Sequence, residues 1–545
     1  MTAPAQPAAS AFAPLRIGVF RAIWLASIVS NIGGWMQTVG AQWYLVEQGS
    51  SATTIALVQT ASAAPVLLLG IPAGVIGEFL NRRRLLIVVQ AFQAAVALFL
   101  SILTALGDMN PALLLAITFV LGAGAAVQLP AYQALVPDIV PRAVIPQAAA
   151  LSSIGINIAR SIGPALAGLA ISSLGIPFVF ALNALSFGVF LVVLVVWRGY
   201  IAPVSRAERF LEATRAGLRY VLHAGVVRRL CLQLAVFIAP GSALWAVLPL
   251  IASARLGLDS NGYGLLLAAV GVGSAAGAFV ISRAQRALGT GGAILLASAA
   301  YGLGVVGIAL SVSLALTLGI LVITGVAWIV VIALLNGSVQ SFLPTWVRAR
   351  GLSVYQIVLF GGTAIGSALA GAAAEAFGLV PATIGAGVLV IVGGLALLLW
   401  PLVAMGDKGR EISPLPLDEL PPLRTESVEI DGDAQTLVLI KYAVPAEHRE
   451  EFIARMRLVG RSRRRTGART WELYDDREVP GVLVEAFSLG SWREHLSQHD
   501  NRLTEYDQHV LSSARELASA DPVVEHLTTV PPAPRRRSRR SRPAP

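Results

Sequence analysis

Long apolar runs dominate the chain up to residue 404. A helix needs about 20 apolar residues to cross roughly 30 Å of hydrocarbon, and twelve runs of about that length occur here. The predicted spans, numbered 1 to 12 in chain order, are 22–45, 54–77, 85–106, 112–134, 148–171, 178–197, 230–252, 263–284, 292–311, 315–336, 352–374 and 382–404. The pattern predicts an all-α polytopic membrane protein.

The hydrophobic pattern changes after span 12. Residues 405–434 mix prolines with acids, which predicts an extended linker. Residues 435–530 follow a β-α-β-β-α-β order of periodicities, the ferredoxin-like pattern, which predicts a small α+β cytoplasmic domain. Its predicted elements are 436–444, 447–465, 469–475, 482–489, 492–500 followed by 503–518, and 523–528.

The charges are few and unevenly placed. Only 13% of the 545 residues are charged, against about 25% in soluble domains. Alternate connections between spans, counted with Arg283 at the end of span 8, hold fifteen Lys and Arg residues, whereas the other connections hold only Arg255. The positive-inside rule therefore predicts a multi-pass protein of the cell membrane with both termini in the cytoplasm. Because the net charge of +10 is mostly topological, it does not indicate nucleic-acid binding.

Several kinds of site are missing from the sequence. It has no P-loop and no cluster of metal ligands, so we expect no cofactor, no bound metal and no ATP-driven step. Residues 1–16 lack the basic start of a cleaved signal peptide, which makes span 1 the expected insertion signal. The single cysteine, Cys231, excludes an intrachain disulfide.

The two halves of the membrane region resemble each other. Residues 161–170 in span 5 recur as residues 364–373 in span 11, with seven of ten positions identical. Parallel six-helix halves are one architecture of secondary transporters, which hold their substrate near the bilayer midplane. The predicted order is an N-terminal tail 1–21, a first half 22–197, a cytoplasmic linker 198–229, a second half 230–404, the proline-rich linker 405–434, the C-terminal domain 435–530 and a disordered arginine-rich tail 531–545.

The loop after span 2 carries a signature. Its sequence from Gly74 to Arg84 resembles the G-x-L-a-D-R-x-G-R-R/K signature of the major facilitator superfamily, with Glu78 in place of the aspartate and Phe79 in place of the next arginine. The resemblance implies a cytoplasmic latch between the halves, with fewer charged partners than usual. Its residues are Gly74, Glu78, Arg82, Arg83 and Arg84.

Three further segments narrow the family. Residues 31–37, 130–137 and 157–164 resemble the transmembrane secretion effector branch of that superfamily, which includes bacterial enterobactin exporters. The resemblance covers about residues 15–404. It implies a transporter of a small molecule and leaves the identity of that molecule open.

Polar side chains follow one stripe of span 1. At 100° per residue, six small or polar residues lie within about 100° of one another. We expect this stripe to face a substrate cavity; helix packing is the alternative, because small and hydroxyl residues also mediate helix contacts in membranes. The stripe consists of Ser27, Asn31, Gly34, Trp35, Thr38 and Gln42, and Gln128 and Asn157 are further cavity candidates.

Arg160 lies near the middle of span 5. A guanidinium at the bilayer centre costs at least about 2.5 kcal/mol, so something must compensate for it. It can bind a carboxylate or phenolate bidentately, which favours a role in anion recognition or gating. The alternative is an arginine that binds backbone carbonyls where helices cross.

Span 5 also carries candidates for gating. Gly163, Pro164 and Gly168 resemble the antiporter signature of the superfamily, in which a bend and small residues let helices slide. Proton coupling usually needs a desolvated carboxylate, and none is predicted in the middle of a span. Glu47 and Glu375, at the outer ends of spans 1 and 11, are the nearest candidates, with solvated loop acids as the alternative.

The C-terminal domain resembles the dimeric α/β-barrel domains related to antibiotic-biosynthesis monooxygenases. The resemblance rests on residues 492–499 and the preceding strand, and implies pairing as a homodimer. His495 and His499 are four residues apart on a predicted helix, but two imidazoles without further ligands favour a solvated helix face over a metal site.

These features predict a secondary transporter rather than an enzyme. We expect it to export a small anionic or amphipathic molecule, such as a siderophore, by alternating access and proton antiport. A multidrug efflux pump is the alternative within transport. A monooxygenase-like or ligand-sensing domain fused to a carrier is the alternative from another class.

Overall fold

The computed structural model describes residues 10, 12–70, 80–197, 200, 219–344, 346–401 and 434–530. The chain divides into two compact units, each described here by itself. The first, called the membrane unit, comprises Met1–Phe210, Val226–Ser341 and Ala349–Val403. The second, called the C-terminal unit, comprises Leu211–Gly225, Phe342–Arg348 and Ala404–Pro545.

The membrane unit is built from apolar helices. Among the described residues, eleven helices are long and apolar enough to cross a membrane. Large apolar side chains such as Leu68, Val88 and Leu399 are exposed on them, as expected where lipid replaces water. The named helices are α1 (Gly18–Glu47), α2 (Ala52–Ala63), α3 (Arg82–Leu106), α4 (Pro111–Ile139), α5 (Ile145–Leu174), α6 (Ile176–Val196), α7 (Gly225–Gly241), α8 (Ala243–Leu250), α9 (Ser260–Leu310), α10 (Leu314–Phe342), α11 (Arg348–Phe377) and α12 (Leu379–Leu399). One of the eleven, Ala52–Gly70, begins with α2 and extends beyond it, and another, Gly225–Arg255, contains both α7 and α8.

Local signals set the ends of these helices. The Asn81 side chain accepts a hydrogen bond from the Arg84 amide at the start of α3, and Gly107 ends that helix with a φ of 81°. Spans 8 and 9 were predicted separately, whereas α9 is assigned as one helix of 51 residues. Gly289 breaks its helical geometry with a φ of 69°, a conformation that glycine adopts without steric cost.

The C-terminal unit contains a four-stranded antiparallel sheet with strand order β2-β3-β1-β4. Its elements follow one another in the order β-α-β-β-α-α-β, with two helices between β3 and β4. The elements are β1 (Thr436–Ala443), α13 (Arg449–Thr466), β2 (Thr470–Asp475), β3 (Val482–Leu489), α14 (Trp492–Ser497), α15 (Glu505–Arg515) and β4 (Val523–Thr528).

Side-chain chemistry explains this arrangement. Burial alternates along β1, so one face of the sheet packs on the core, where Tyr442, Phe452 and Phe487 are fully buried. Acids occupy the first turn of α13 and arginines its last turn, which complements the helix dipole. Thr504 begins α15 with a capping box closed by Asp507.

The expectation of a solvated face around His495 and His499 was wrong. His495 is 0% exposed and His499 is 4% exposed. Helix α14 is followed by a π-helical turn, Gln498–Arg502, and the two imidazole rings lie 4.7 Å apart between centroids. The pair belongs to the interior of the C-terminal unit because α14 packs against β3 and β4 contributes a third ring, His526, 4.9 Å from His495.

Candidate functional site

The membrane unit holds an arginine in its middle. Arg160 lies halfway along α5, and its guanidinium carbon is 5.9 Å from the centroid of the Trp35 ring on α1. Its Nε atom is buried without a hydrogen-bond partner, and no carboxylate in the described part of the chain forms an ion pair with it. A buried guanidinium that no protein carboxylate neutralises can bind an anionic ligand instead.

Glycine allows α1 to approach Arg160. A Cβ atom on Gly163, one turn beyond Arg160, would lie 2.7 Å from the Cβ of Trp35. A real side chain at position 163 would therefore push α1 away from α5. This close approach positions the indole ring beside the guanidinium.

Aromatic rings connect this site to helices of the predicted second half. The Trp35 ring lies 5.8 Å from that of Trp245, which lies 5.7 Å from that of Trp328. Tyr301 continues the series at 5.5 Å from Trp328. Sequence reasoning missed Trp245, Trp328 and Tyr301 as site residues, although large aromatic residues in the middle of apolar spans were the available signal.

Polar residues of the stripe on α1 form hydrogen bonds either within α1 or to another helix. Asn31 donates to the backbone oxygen of Ser27 and Thr38 to that of Gly34, so both half-buried side chains bond within their own helix. Gln42 is buried and donates to the backbone oxygen of Trp245 at 3.1 Å.

The remaining cavity candidates lie apart from this network. Asn157 donates to the backbone oxygen of Ser153, one turn earlier on α5. Gln128 is half-buried on α4. Among the hydrogen bonds of the described residues, none joins Asn157 or Gln128 to Arg160.

The predicted outer ends of the two halves pack closely. A Cβ on Gly168 of α5 would lie 2.7 Å from the backbone oxygen of Ser260, and one on Gly264 of α9 would lie 2.7 Å from the backbone oxygen of Pro164. Gly163, Pro164 and Gly168 are thus all at helix contacts, with α1 on one side and α9 on the other.

The two candidate coupling acids differ. Glu47 is exposed at the end of α1. Glu375 is also exposed, and its carboxylate accepts a hydrogen bond from the Thr53 amide at 3.3 Å, which links the end of α11 to the start of α2. The first turn of a helix stabilises a carboxylate in this position.

The predicted latch is only partly described. Gly74 and Glu78 lie outside the described residues. Arg82 forms an ion pair with Asp138 at the end of α4, and Arg83 donates to two backbone oxygens at the end of α6, whereas Arg84 supplies the amide that Asn81 caps.

Asp138 was missed as a partner for the latch arginines. It also accepts a hydrogen bond of 2.7 Å from the hydroxyl of Tyr200, and burial together with this contact raises the pKa of Tyr200 to about 12. The sequence signal that could have identified Asp138 is an acidic residue that closely follows predicted span 4. These contacts tie α3, α4 and the end of α6 together within the first half.

Within the described ranges, no group of three His, Cys, Asp or Glu side chains is arranged to hold a metal ion. The features to explain are therefore a cation, a series of aromatic rings and closely packed helices.

Comparison with known proteins identifies relatives of this architecture. The family model described as "Transmembrane secretion effector" matches residues 9–532. A Staphylococcus aureus protein named "Staphyloferrin A transporter" is 30% identical over 163 residues, which cover 30% of this chain and 41% of the relative. A Mycobacterium tuberculosis protein named "Multidrug efflux pump Tap" is 26% identical over 218 residues, which cover 38% of this chain and 52% of the relative. The matches thus span about half or less of these curated relatives.

Solved structures show the same fold. An inward-facing, unoccupied structure of a bacterial homologue of the human lysosomal transporter Spinster superposes with a TM-score of 0.57 at 17% identity, over 71% of this chain and 97% of that chain. The nucleoside transporter NupG superposes with a TM-score of 0.55 at 11% identity, over 70% of this chain and 98% of that chain.

Proposed function

Because the chain belongs to the transmembrane secretion effector family of the major facilitator superfamily, we propose that it exports a small anionic or amphipathic molecule by alternating access. The observation that carries this proposal is Arg160, a mid-helix cation beside Trp35 to which no described carboxylate is paired. A carboxylate or phenolate of the substrate completes that pair. The adjoining rings of Trp245 and Trp328 contact its apolar part.

The proposed topology has twelve spans in two parallel six-helix halves, in the cell membrane and with both termini in the cytoplasm. The break at Gly289 supports counting the 51-residue helix α9 as two spans, because about 20 residues suffice for one crossing. The repeated segment in α5 and α11 supports the relation between the halves. Fusion of a reporter after residue 289 and at each terminus tests the orientation, since all three are expected on the cytoplasmic side.

The proposed coupling is antiport with protons. It is supported by the packing of Gly163, Pro164 and Gly168 against neighbouring helices, which suits helices that slide. Glu375 is the better placed of the two candidate acids, because its contact with Thr53 joins the two halves. Export that persists after the proton gradient is collapsed, or that is unchanged in Glu375→Gln, contradicts this part of the proposal.

The proposed substrate class is siderophore-like. The relative named "Staphyloferrin A transporter" supports a siderophore-like compound, and the unpaired charge of Arg160 favours an acidic one. Comparing the metabolites exported by a deletion strain and its parent tests this directly. Retention of an iron-chelating acid inside the deletion strain supports the proposal, and an unchanged profile removes it.

A multidrug efflux pump is the second candidate. It is favoured by the relative named "Multidrug efflux pump Tap" and by the series of four rings, which can contact many flat apolar compounds. Deletion then sensitises cells to several unrelated compounds. Loss of export of one acidic compound alone favours the first candidate.

The C-terminal unit is proposed to be a ferredoxin-like domain that pairs as a homodimer. Its strand order and element order support the fold. The alternatives are a monooxygenase-like activity and a ligand sensor. Sedimentation of the full chain in detergent, with and without residues 434–530, tests the dimer, and oxygen consumption tests the enzymatic alternative.

A further inference from the structure

Several buried polar atoms without partners surround a small cavity in the C-terminal unit. Both ring nitrogens of His495, Nε of Arg515 and Nε2 of His526 are buried and have no hydrogen-bond partner of good geometry within the described ranges, although the Gln498 side chain lies near His495. The cavity has a volume of about 10 Å³, the room of one water molecule, and apolar walls that include Val438 and Phe487. Buried polar groups usually have partners, so this cluster points to a ligand.

The charges around the cavity favour an anion. Glu485 is 0% exposed and accepts hydrogen bonds from Arg463, Tyr442 and Trp471, so the charge of Arg463 is balanced. Burial lowers the pKa of His495 to about 2, which keeps its imidazole neutral. Arg515 has no ion-pair partner among the described residues, and its cationic charge remains uncompensated.

The segment from Trp492 to Arg502 lines the cavity with some side chains and contacts neighbouring residues with others. On one face, His495 and His499 line the cavity. On the other, Glu494 forms an ion pair of 2.6 Å with Arg219, and the guanidinium of Arg502 lies 5.0 Å from the Trp346 ring. All of these residues belong to the C-terminal unit.

The contacted residues are continuous with apolar helices. Arg219 precedes the start of α7 at residue 225 by six positions, and Trp346 lies between α10 and α11. Tyr220 also packs edge-on against Trp346 at 5.7 Å. A displacement of the segment 492–502 therefore acts on residues next to three helix ends.

We propose that this cavity binds a small organic anion, a carboxylate or phenolate with an apolar body, and that its entry releases Arg219 and Trp346. The anion bonds to Arg515 and to an imidazole N–H, while its body lies between the apolar walls. Because the cavity holds only one water molecule when closed, the ligand enters by displacing the segment 492–502. Ligand binding and release of the two contacts are thus linked reciprocally.

Benzoate titrated into the full chain in detergent tests the site. The chain carries Arg160→Ala throughout, so that the proposed transport site does not contribute binding and failure of one proposal leaves the other untouched. Arg515→Gln is expected to weaken benzoate binding by at least about tenfold, since a charge-assisted hydrogen bond is lost. Arg449→Gln is the matched control, because Arg449 pairs with Asp475 at an exposed position of the same unit.

Hydrogen exchange measures the coupling in the same samples. Benzoate is expected to speed amide exchange in residues 219–224 and 492–502, with no such change in Arg515→Gln. Absence of benzoate binding, equal binding of inorganic phosphate, or equal loss of binding in Arg449→Gln overturns the site. Binding of benzoate without faster exchange in residues 219–224 overturns the coupling.

Discussion

Replacing Arg160 by methionine is expected to stop export and to stabilise the protein. A guanidinium at mid-membrane costs about 2.5–3.5 kcal/mol. The interaction that the structure provides in return is the contact with Trp35 at 5.9 Å, near the distance limit of cation–π attraction, where it contributes about 0.5–1 kcal/mol. Methionine removes both the cost of the buried charge and its contact with Trp35, so the free energy of unfolding should rise by about 2 kcal/mol.

Export should change in the opposite direction. A charge-assisted hydrogen bond to an anion contributes about 1.5–3 kcal/mol, so its loss weakens substrate binding by about 10–150-fold. Export by purified chain in liposomes and unfolding in detergent measure the two effects, and Arg283→Met, which removes an exposed arginine of the membrane unit, is the control. If Arg160→Met unfolds more readily than the parent, Arg160 holds helices together. Normal export by that variant would refute its role in substrate binding.

Three further changes test other parts of the structure. Gly168→Leu should cost about 1–3 kcal/mol and slow export, because its side chain meets the α9 backbone, whereas Gly188→Ala, with open space around it, should leave export in liposomes unchanged. Asp138→Asn should reduce export by removing one charge of the Arg82 pair, and the exchanged pair Arg82→Asp with Asp138→Arg should restore it at least partly if the attraction itself matters. The folded-state pKa of His495 lies below its usual value of 6.5, so the unfolded chain binds more protons and stability falls as pH decreases below about 6.5. At pH 5.5 the loss is about 1.4 kcal/mol, and His495→Gln should abolish this slope in hydrogen exchange of the C-terminal unit.

The sequence predicted what depends on local pattern. Apolar length is a property of each segment by itself, so the membrane helices were found without knowledge of their packing. Strand β3 and strand β4 have the predicted bounds, 482–489 and 523–528, because their alternation is also local.

Contacts between distant segments could not be predicted in this way. The Trp35 and Trp245 rings meet although 210 positions separate them. The helical repeat of apolar residues does not show whether an indole contacts lipid or a second helix. His495 and His499 occur at a spacing typical of a solvated helix face, but the short helix that carries them packs against β3 and near His526 on β4. Burial there follows from the tertiary fold.

The position of Arg160 relative to the close contact between α5 and α9 has a mechanical consequence. From Ser161 outward, α5 lies so close to α9 that a Cβ on Gly271 would be 2.4 Å from the Cα of Ser161, and Gly168 repeats such an approach two turns later. Arg160 is the residue just before this stretch on the inner side. An anion bound there lies at the inner edge of the α5–α9 contact, so its release to the predicted exterior requires the two helices to separate. Larger side chains along this contact should therefore slow export more than they weaken substrate binding.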